Sequence, residues 1–354
     1  KSIVYLPKMN VMYRLLFVGV VMCLFFGCKN TAKNIVSDFT NVEIDILYKD
    51  SLLNVRALEI SEKNILIATS KGETKIKRNG SDTFITLFET DTIYKPNFRA
   101  LACTNKSIFT ISIGNPALLY KDGVLVYKES NKNVFYDSID FWNDLEGIAI
   151  GDPTDDCLSI IITRDGGETW VKQSCEIAPY VFNGEAAFAA SDTNISIIDN
   201  ATWVATGGKK SNVFFSPDKG VSWVSYKTPI IQGTSSTGIY SIDFYDKSKG
   251  FAIGGDYTKP EANIQNKIRT VDGGKSWSII ANNKAPGYKS CIQFVPNTNS
   301  NSLVAVGING IDYTNDFGLT WKHLSDEGFY TIRFLNKNTA YAAGNGRVAK
   351  LSFN

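Results

Sequence analysis

The chain has 354 residues and carries 37 Lys and Arg against 35 Asp and Glu, a formal net charge of +2 with one histidine. It shows no basic stripe and no RNA-binding aromatic signature, so electrostatic binding to a phosphate backbone has no support. Its apolar content, 44% of residues, is enough for a large core.

The N-terminus reads as an export segment. The methionines are Met9, Met12 and Met22, which places the expected start at Met9 or Met12 with extra residues upstream. Arg14 supplies a positive n-region, residues 15–26 form an uncharged apolar run, and Gly27 and Cys28 end it. Such a run is too short to span a bilayer, so residues 1–27 are expected to be a signal peptide. Residues 24–28 (LFFGC) resemble the bacterial lipobox, in which a small residue precedes the cysteine that is diacylated; Phe25 stands where Leu is usual. The resemblance implies lipidation at Cys28 and a membrane anchor, with the protein in the bacterial cell envelope outside the cytoplasm. Losing residues 1–27 removes Lys1, Lys8 and Arg14 and no acid, which leaves 34 basic and 35 acidic side chains. Residues 28–41, polar and without period, read as a lipidated tether.

From residue 42 to 354 the chain is organised by a recurring octet. Residues 163–170 (TRDGGETW), 216–223 (SPDKGVSW), 270–277 (TVDGGKSW) and 314–321 (TNDFGLTW) share a hydroxyl, an acid, a glycine and a tryptophan. The acids are Asp165, Asp218, Asp272 and Asp316, and Trp170, Trp223, Trp277 and Trp321 are four of the six tryptophans. The chemistry is that of a tight hairpin: the carboxylate accepts from its own turn, the glycine takes positive φ, and the tryptophan anchors the next strand on its sheet. These carboxylates are therefore structural. Weaker copies at 77–84 (KRNGSDTF) and 120–127 (YKDGVLVY) keep the roles with Asn79 and Asp122. From position 79 through 122, 165, 218, 272 and 316 the steps are 43, 43, 53, 54 and 44 residues. A period of about 45 residues of turn-punctuated strands means propeller blades.

Each unit opens with an alternating strand and a second strand ending near a glycine, as in Ser138 to Phe141 followed by Ile148 to Gly151. No amphipathic helix is visible. Units are expected at 55–90, 98–130, 138–175, 185–228, 238–283 and 290–326, with a seventh from 330 to 354 that stops one strand short. The unassigned strand at 42–48 is expected to complete it. The expectation is an all-β, seven-bladed propeller of four-stranded antiparallel blades, closed by the N-terminal strand and monomeric.

With the octets in place, the chain resembles the Asp-box (BNR-repeat) propellers, and most of all the photosystem II assembly and stability factor group. The resemblance covers about 55–354. It implies a non-catalytic, protein-binding assembly scaffold; related envelope chains also carry the label oxidoreductase without an identified site. The rival class sharing the octets is the sialidase-like glycosidases, or a glycan-binding relative. Those enzymes need an arginine triad and an F/Y-R-I-P motif, and the motif is missing. An oxidoreductase reading would rest on Gly344, Gly346 and Ala349 as G-x-G-x-x-A, but no helix can follow in the residues left. His323, two residues after Trp321, is expected in solvent on an outer strand. No catalytic residue, metal site or cofactor is assigned.

Cys157 and Cys175 lie nine residues either side of Gly166, so a hairpin turning there would set them opposite each other for a disulfide. Cys103 and Cys291 read as buried thiols. The loops that vary lie on the face opposite the octets, and Asp152, Asp155, Asp156, Asp256, Tyr257, Lys259 and Glu261 mark the expected binding face for an envelope protein or glycan partner. Beneath it, Glu59, Asp140, Asp243, Gln293 and Arg333, with Ala102 and Ser196, should border the central channel.

Overall fold

The computed structural model describes residues 2–3, 38–90 and 93–354. Apart from residues 2–3, the expected signal peptide lies outside the described residues, as do Cys28 and most of the tether. The strands belong to one unit, Ser37–Asn354.

Every regular element among the described residues is a β-strand, and all pairings are antiparallel. The strands form six sheets, four of four strands and two of six, arranged as a propeller. Seven separate blades were expected, and this is corrected to six. The reason is the strand Val42–Ser61. Its first part pairs with the C-terminal strand Thr339–Phe353, from Val42 opposite Phe353 to Lys49 opposite Arg347. Its second part pairs with Asn64–Thr69. One strand therefore runs through the first and last repeats, and their hydrogen bonds make a single six-stranded sheet. Phe39, just before it, is buried against Phe353 and Tyr313 at ring distances of 5.0 and 4.7 Å.

The four full octets fold alike. In the first, Thr163 Oγ1 donates to Asp165 Oδ1 at 2.9 Å, Gly167 N donates to Thr163 Oγ1 at 2.9 Å, and the Thr169 amide and hydroxyl donate to Asp165 at 3.0 and 2.6 Å. Asp218, Asp272 and Asp316 repeat the pattern. The Thr169 donors hold the Asp165 carboxylate down at about 2. The octet glycine has two reasons to be glycine: at Gly167 φ is +81°, and a Cβ would lie 2.2 Å from the Phe109 ring of the preceding unit. The tryptophan then joins neighbouring units. Trp170 meets Phe141 of its own unit at 5.8 Å and Phe109 at 6.2 Å, both edge-on, contacts worth about 0.5–1.5 kcal/mol each beyond area burial. The weaker copy differs: Asp122 reaches across to the Ile108 N–H at 2.9 Å instead of into its own turn.

A disulfide joins Cys157 and Cys175. Cys291 is buried, whereas Cys103 is only partly so and faces the channel cavity.

Candidate functional site

Seen from the inner strands, the site has three layers: a channel, a segment that crosses it, and a cleft above. The channel is a cavity of about 260 Å³ whose wall includes Glu59, Ala102, Asp140, Ser196, Asp243, Gln293 and Arg333. Arg333 Nε donates to Glu59 Oε1 at 2.7 Å, so that acid is held in an ion pair. Asp140 and Asp243 face the cavity and not bulk water, and burial pushes both up to about 7, against the Phe141 and Phe294 amides that donate to them. No cluster of three or more metal-ligating side chains occurs among the described residues.

Residues 187–194 cross the channel as a plug that the sequence did not reveal. The Ala190 carbonyl accepts from Arg56 Nη1 at 2.8 Å, that of Ala189 from Arg99 Nη1 at 3.4 Å, and that of Ser191 from Thr331 Oγ1 at 2.9 Å. Asp192 accepts the Leu101 and Ile139 amides on its two carboxyl oxygens at 2.8 and 3.2 Å. Thr193 Oγ1 donates to Ser241 Oγ at 2.8 Å. These partners come from inner strands all around the ring, so one segment satisfies groups that would otherwise face an open hole. Asp192 takes φ of +59°, a conformation that costs a non-glycine residue about 1–3 kcal/mol; its two amide partners and its burial hold it there. The plug lines the channel with Asp192 and Thr193 and the opposite side with residues 187–190.

That opposite side is a cleft of about 540 Å³, walled by Arg56, Arg99, Asp137, Asp152, Phe188, Tyr240, Tyr257, Tyr288 and Tyr330, among others. Its location follows from the propeller repeat. Arg56, Arg99, Asp137, Tyr240 and Tyr330 each stand three residues before the channel positions Glu59, Ala102, Asp140, Asp243 and Arg333. In strands, positions three apart face opposite ways unless the strand bends, and bulges between Val55 and Ala57, Phe98 and Ala100, and Ile239 and Ser241 supply the bend. The aromatic wall is continuous: Phe188 stacks on Tyr240 at 4.1 Å, Tyr288 meets Tyr240 edge-on at 4.8 Å, and the Arg56 guanidinium lies 3.8 Å over the Tyr330 ring.

The cleft's electrostatics are unusual. Arg56 and Arg99 donate to carbonyls of the plug, yet neither forms an ion pair with a carboxylate among the described residues, and Arg56 Nε is buried without a partner. Burial lowers the Arg56 guanidinium, and burial together with the nearby Arg56 charge brings Arg99 down to about 10. Two desolvated guanidinium groups that form no ion pair favour an anion, and a planar guanidinium suits a carboxylate.

Of the expected binding-face residues, Asp152 and Tyr257 line this cleft. Asp155, Asp156, Lys259 and Glu261 are exposed outside it, and Asp256 is buried, holding the Thr258 amide and hydroxyl at 3.0 and 2.7 Å. Trp170 and Trp277 are buried, and Trp223 and Trp321 partly so. His323 is 47% exposed but bridges Asp326 and the buried Asp312, which also pairs with the buried Lys289 at 2.6 Å. Residues 344–349 lie within the strand Thr339–Phe353.

No protein-family model matches the chain, and no curated protein matches it. Among solved structures, YCF48 bound to D1 peptide is 11% identical, with 90% of this chain and 98% of that chain covered and a TM-score of 0.62. YCF48 from Cyanidioschyzon merolae is 12% identical over 88% of this chain and 99% of its own, and the RRP9 WD40 repeats are 10% identical over 88% and 98%, each with a TM-score of 0.60. At such identities the likeness lies in the fold, and the chain is a β-propeller like these.

Proposed function

We propose that this chain is a non-catalytic scaffold of the cell envelope that grips a carboxylate-bearing segment of a protein partner in the cleft opposite the octets. One observation carries the reading: Arg56 and Arg99 converge on that cleft with no acid paired to them. Tyr257, exposed at the rim, and the partly exposed Tyr330 add contact area that loses little conformational entropy on binding, and Arg and Tyr are among the side chains that most often dominate protein interfaces. The fold-level neighbour bound to a peptide supports a peptide as occupant. The octet carboxylates are committed to their own turns, which supports a structural role for them.

The test is a fluorescence-polarisation screen of peptides presented as free C-terminal acids and as amides. Acids should bind, amides should bind at least about tenfold more weakly, and Arg56→Gln with Arg99→Gln should abolish the difference. Equal binding of acids and amides would sink the reading, and turnover or capture of an acidic glycan in a parallel panel would favour the glycosidase-like alternative. We further propose that Cys28 carries lipid. Cys28→Ala should then leave the membrane fraction, and retention after a salt wash would place the anchor elsewhere.

A further inference from the structure

Asp137 sits on the inner strand Tyr136–Phe141, fully buried, and neither of its carboxyl oxygens has a hydrogen-bond donor. The amides of Ala189 and Asp152 approach it without reaching hydrogen-bond geometry. Asp152, following the next strand, accepts the Ala187 N–H at 3.0 Å and lines the same cleft. The two acids and the two arginines thus share one partly enclosed space, with no ion pair joining the signs. A carboxyl group so placed is cheaper to bury neutral than charged.

We propose that the cleft takes up a carboxylate together with a proton held by Asp137 and Asp152, so that mildly acidic conditions load it and alkaline conditions empty it. This rests on the reading that Arg56 and Arg99 receive a carboxylate. The electrostatics agree in sign. Burial, then the Asp152 charge, raises Asp137 well above the usual carboxylate range, and burial raises Asp152 to about 7. Below that value the ligand meets two guanidinium groups and neutral acids. Above it, the Asp152 anion in the same cleft repels the ligand.

The other groups around the pair do not reverse this. Arg99 and Arg56 come from the two preceding inner strands, and Tyr240, Tyr257, Tyr288 and Tyr330 come from the far wall. Burial pushes Tyr240 and Tyr288 upward, away from neutral pH. Glu185, on the plug side, is held by Thr206 and Asn212 at 2.5 and 2.9 Å. Glu129 is paired with Lys172, whose Nζ also reaches Thr154 in the Asp152 loop.

The experiment uses the full chain with benzoate as probe and benzamide as its neutral isostere, at about pH 6 and about pH 8, where benzoate stays ionised. Ligand-detected NMR reads affinity, and calorimetry in two buffers of different ionisation enthalpy reads proton uptake. Benzoate should bind roughly tenfold more weakly at the higher pH with a proton taken up on binding, the effect of about one unit of linked pKa. Asp152→Asn, which keeps an oxygen for the Ala187 amide, should flatten the pH dependence, and Asp137→Asn should do the same. Wild-type binding that ignores pH, or a pH dependence unchanged in both variants, overturns the proton linkage while leaving the arginine site standing. Benzoate bound no better than benzamide at either pH overturns the arginine site as well.

Discussion

Asp165 and Asp140 carry the same side chain and titrate in opposite directions. Asp165 is solvated and accepts three hydrogen bonds within its octet, so its ionised form is favoured. Asp140 and Asp243 face a small cavity, and burial favours their neutral forms, up to about 7. By linkage, the octet acid contributes stability that is present above its unfolded pKa and lost as pH falls through about 2. The channel acids contribute stability that is complete below their unfolded pKa of about 3.9 and lost as pH rises towards 7. Asp152 acts in the channel acids' direction, and the opposing contribution of Lys267, which burial brings down to about 7, begins only above that pH. The melting temperature should therefore fall by several degrees between about pH 5 and about pH 7, and Asp140→Asn with Asp243→Asn should reduce the fall. An identical fall in the double variant would assign the pH dependence to other groups. The octet acids and the channel positions could be read in the sequence because each recurs at a fixed place in the repeat. Arg56, Arg99 and Asp137 could not, because chemistry differs from unit to unit at that position and only the shared offset of three residues marks it.

Two elements depart from a simple repeat. The plug falls where the step from Asp165 to Asp218 lengthens to 53 residues from the 43 before it. That excess was the available signal, but the next step, of 54 residues, shares it and so the spacing did not single out the plug. The local composition concealed it, because Ala187, Ala189, Ala190 and Ser191, with Phe188 among them, suit a backbone crossing a crowded axis and carry no strand or turn signature. The other element is Val42–Ser61, whose 20 residues read as two short strands from periodicity alone. Repeats in sequence count units, whereas hydrogen bonds count sheets, and a strand shared by the two chain ends makes the second number six. This closing contact depends on Phe39, which is 1% exposed and packs with Val42, Tyr313 and Phe353 in one core cluster. Phe39→Ala should lower unfolding stability by about 3–5 kcal/mol, the range for truncating a buried Phe. Denaturant melts within about 0.5 kcal/mol of wild type would mean that the contact adds little to closing the ring.

On the scale of the whole molecule, the propeller separates its two faces by chemistry. The octet face carries self-contained turns whose polar groups are already matched, with Val221, Val271 and Leu319 exposed within them. The opposite face carries the cleft, where two arginines form no ion pair beside an aromatic wall. On the proposed reading, the ring closed through its axis by the plug presents one prepared surface, with the groups that would meet a partner held before it arrives. Photo-crosslinking from single benzoylphenylalanine residues, placed at Tyr257 on the cleft rim or at Val221 on the octet face, puts this division to the test. Position 257 should give an adduct with a partner that disappears with Arg99→Gln, and position 221 should give none. An adduct from position 221 that is indifferent to Arg99, with none from 257, would contradict a binding face opposite the octets.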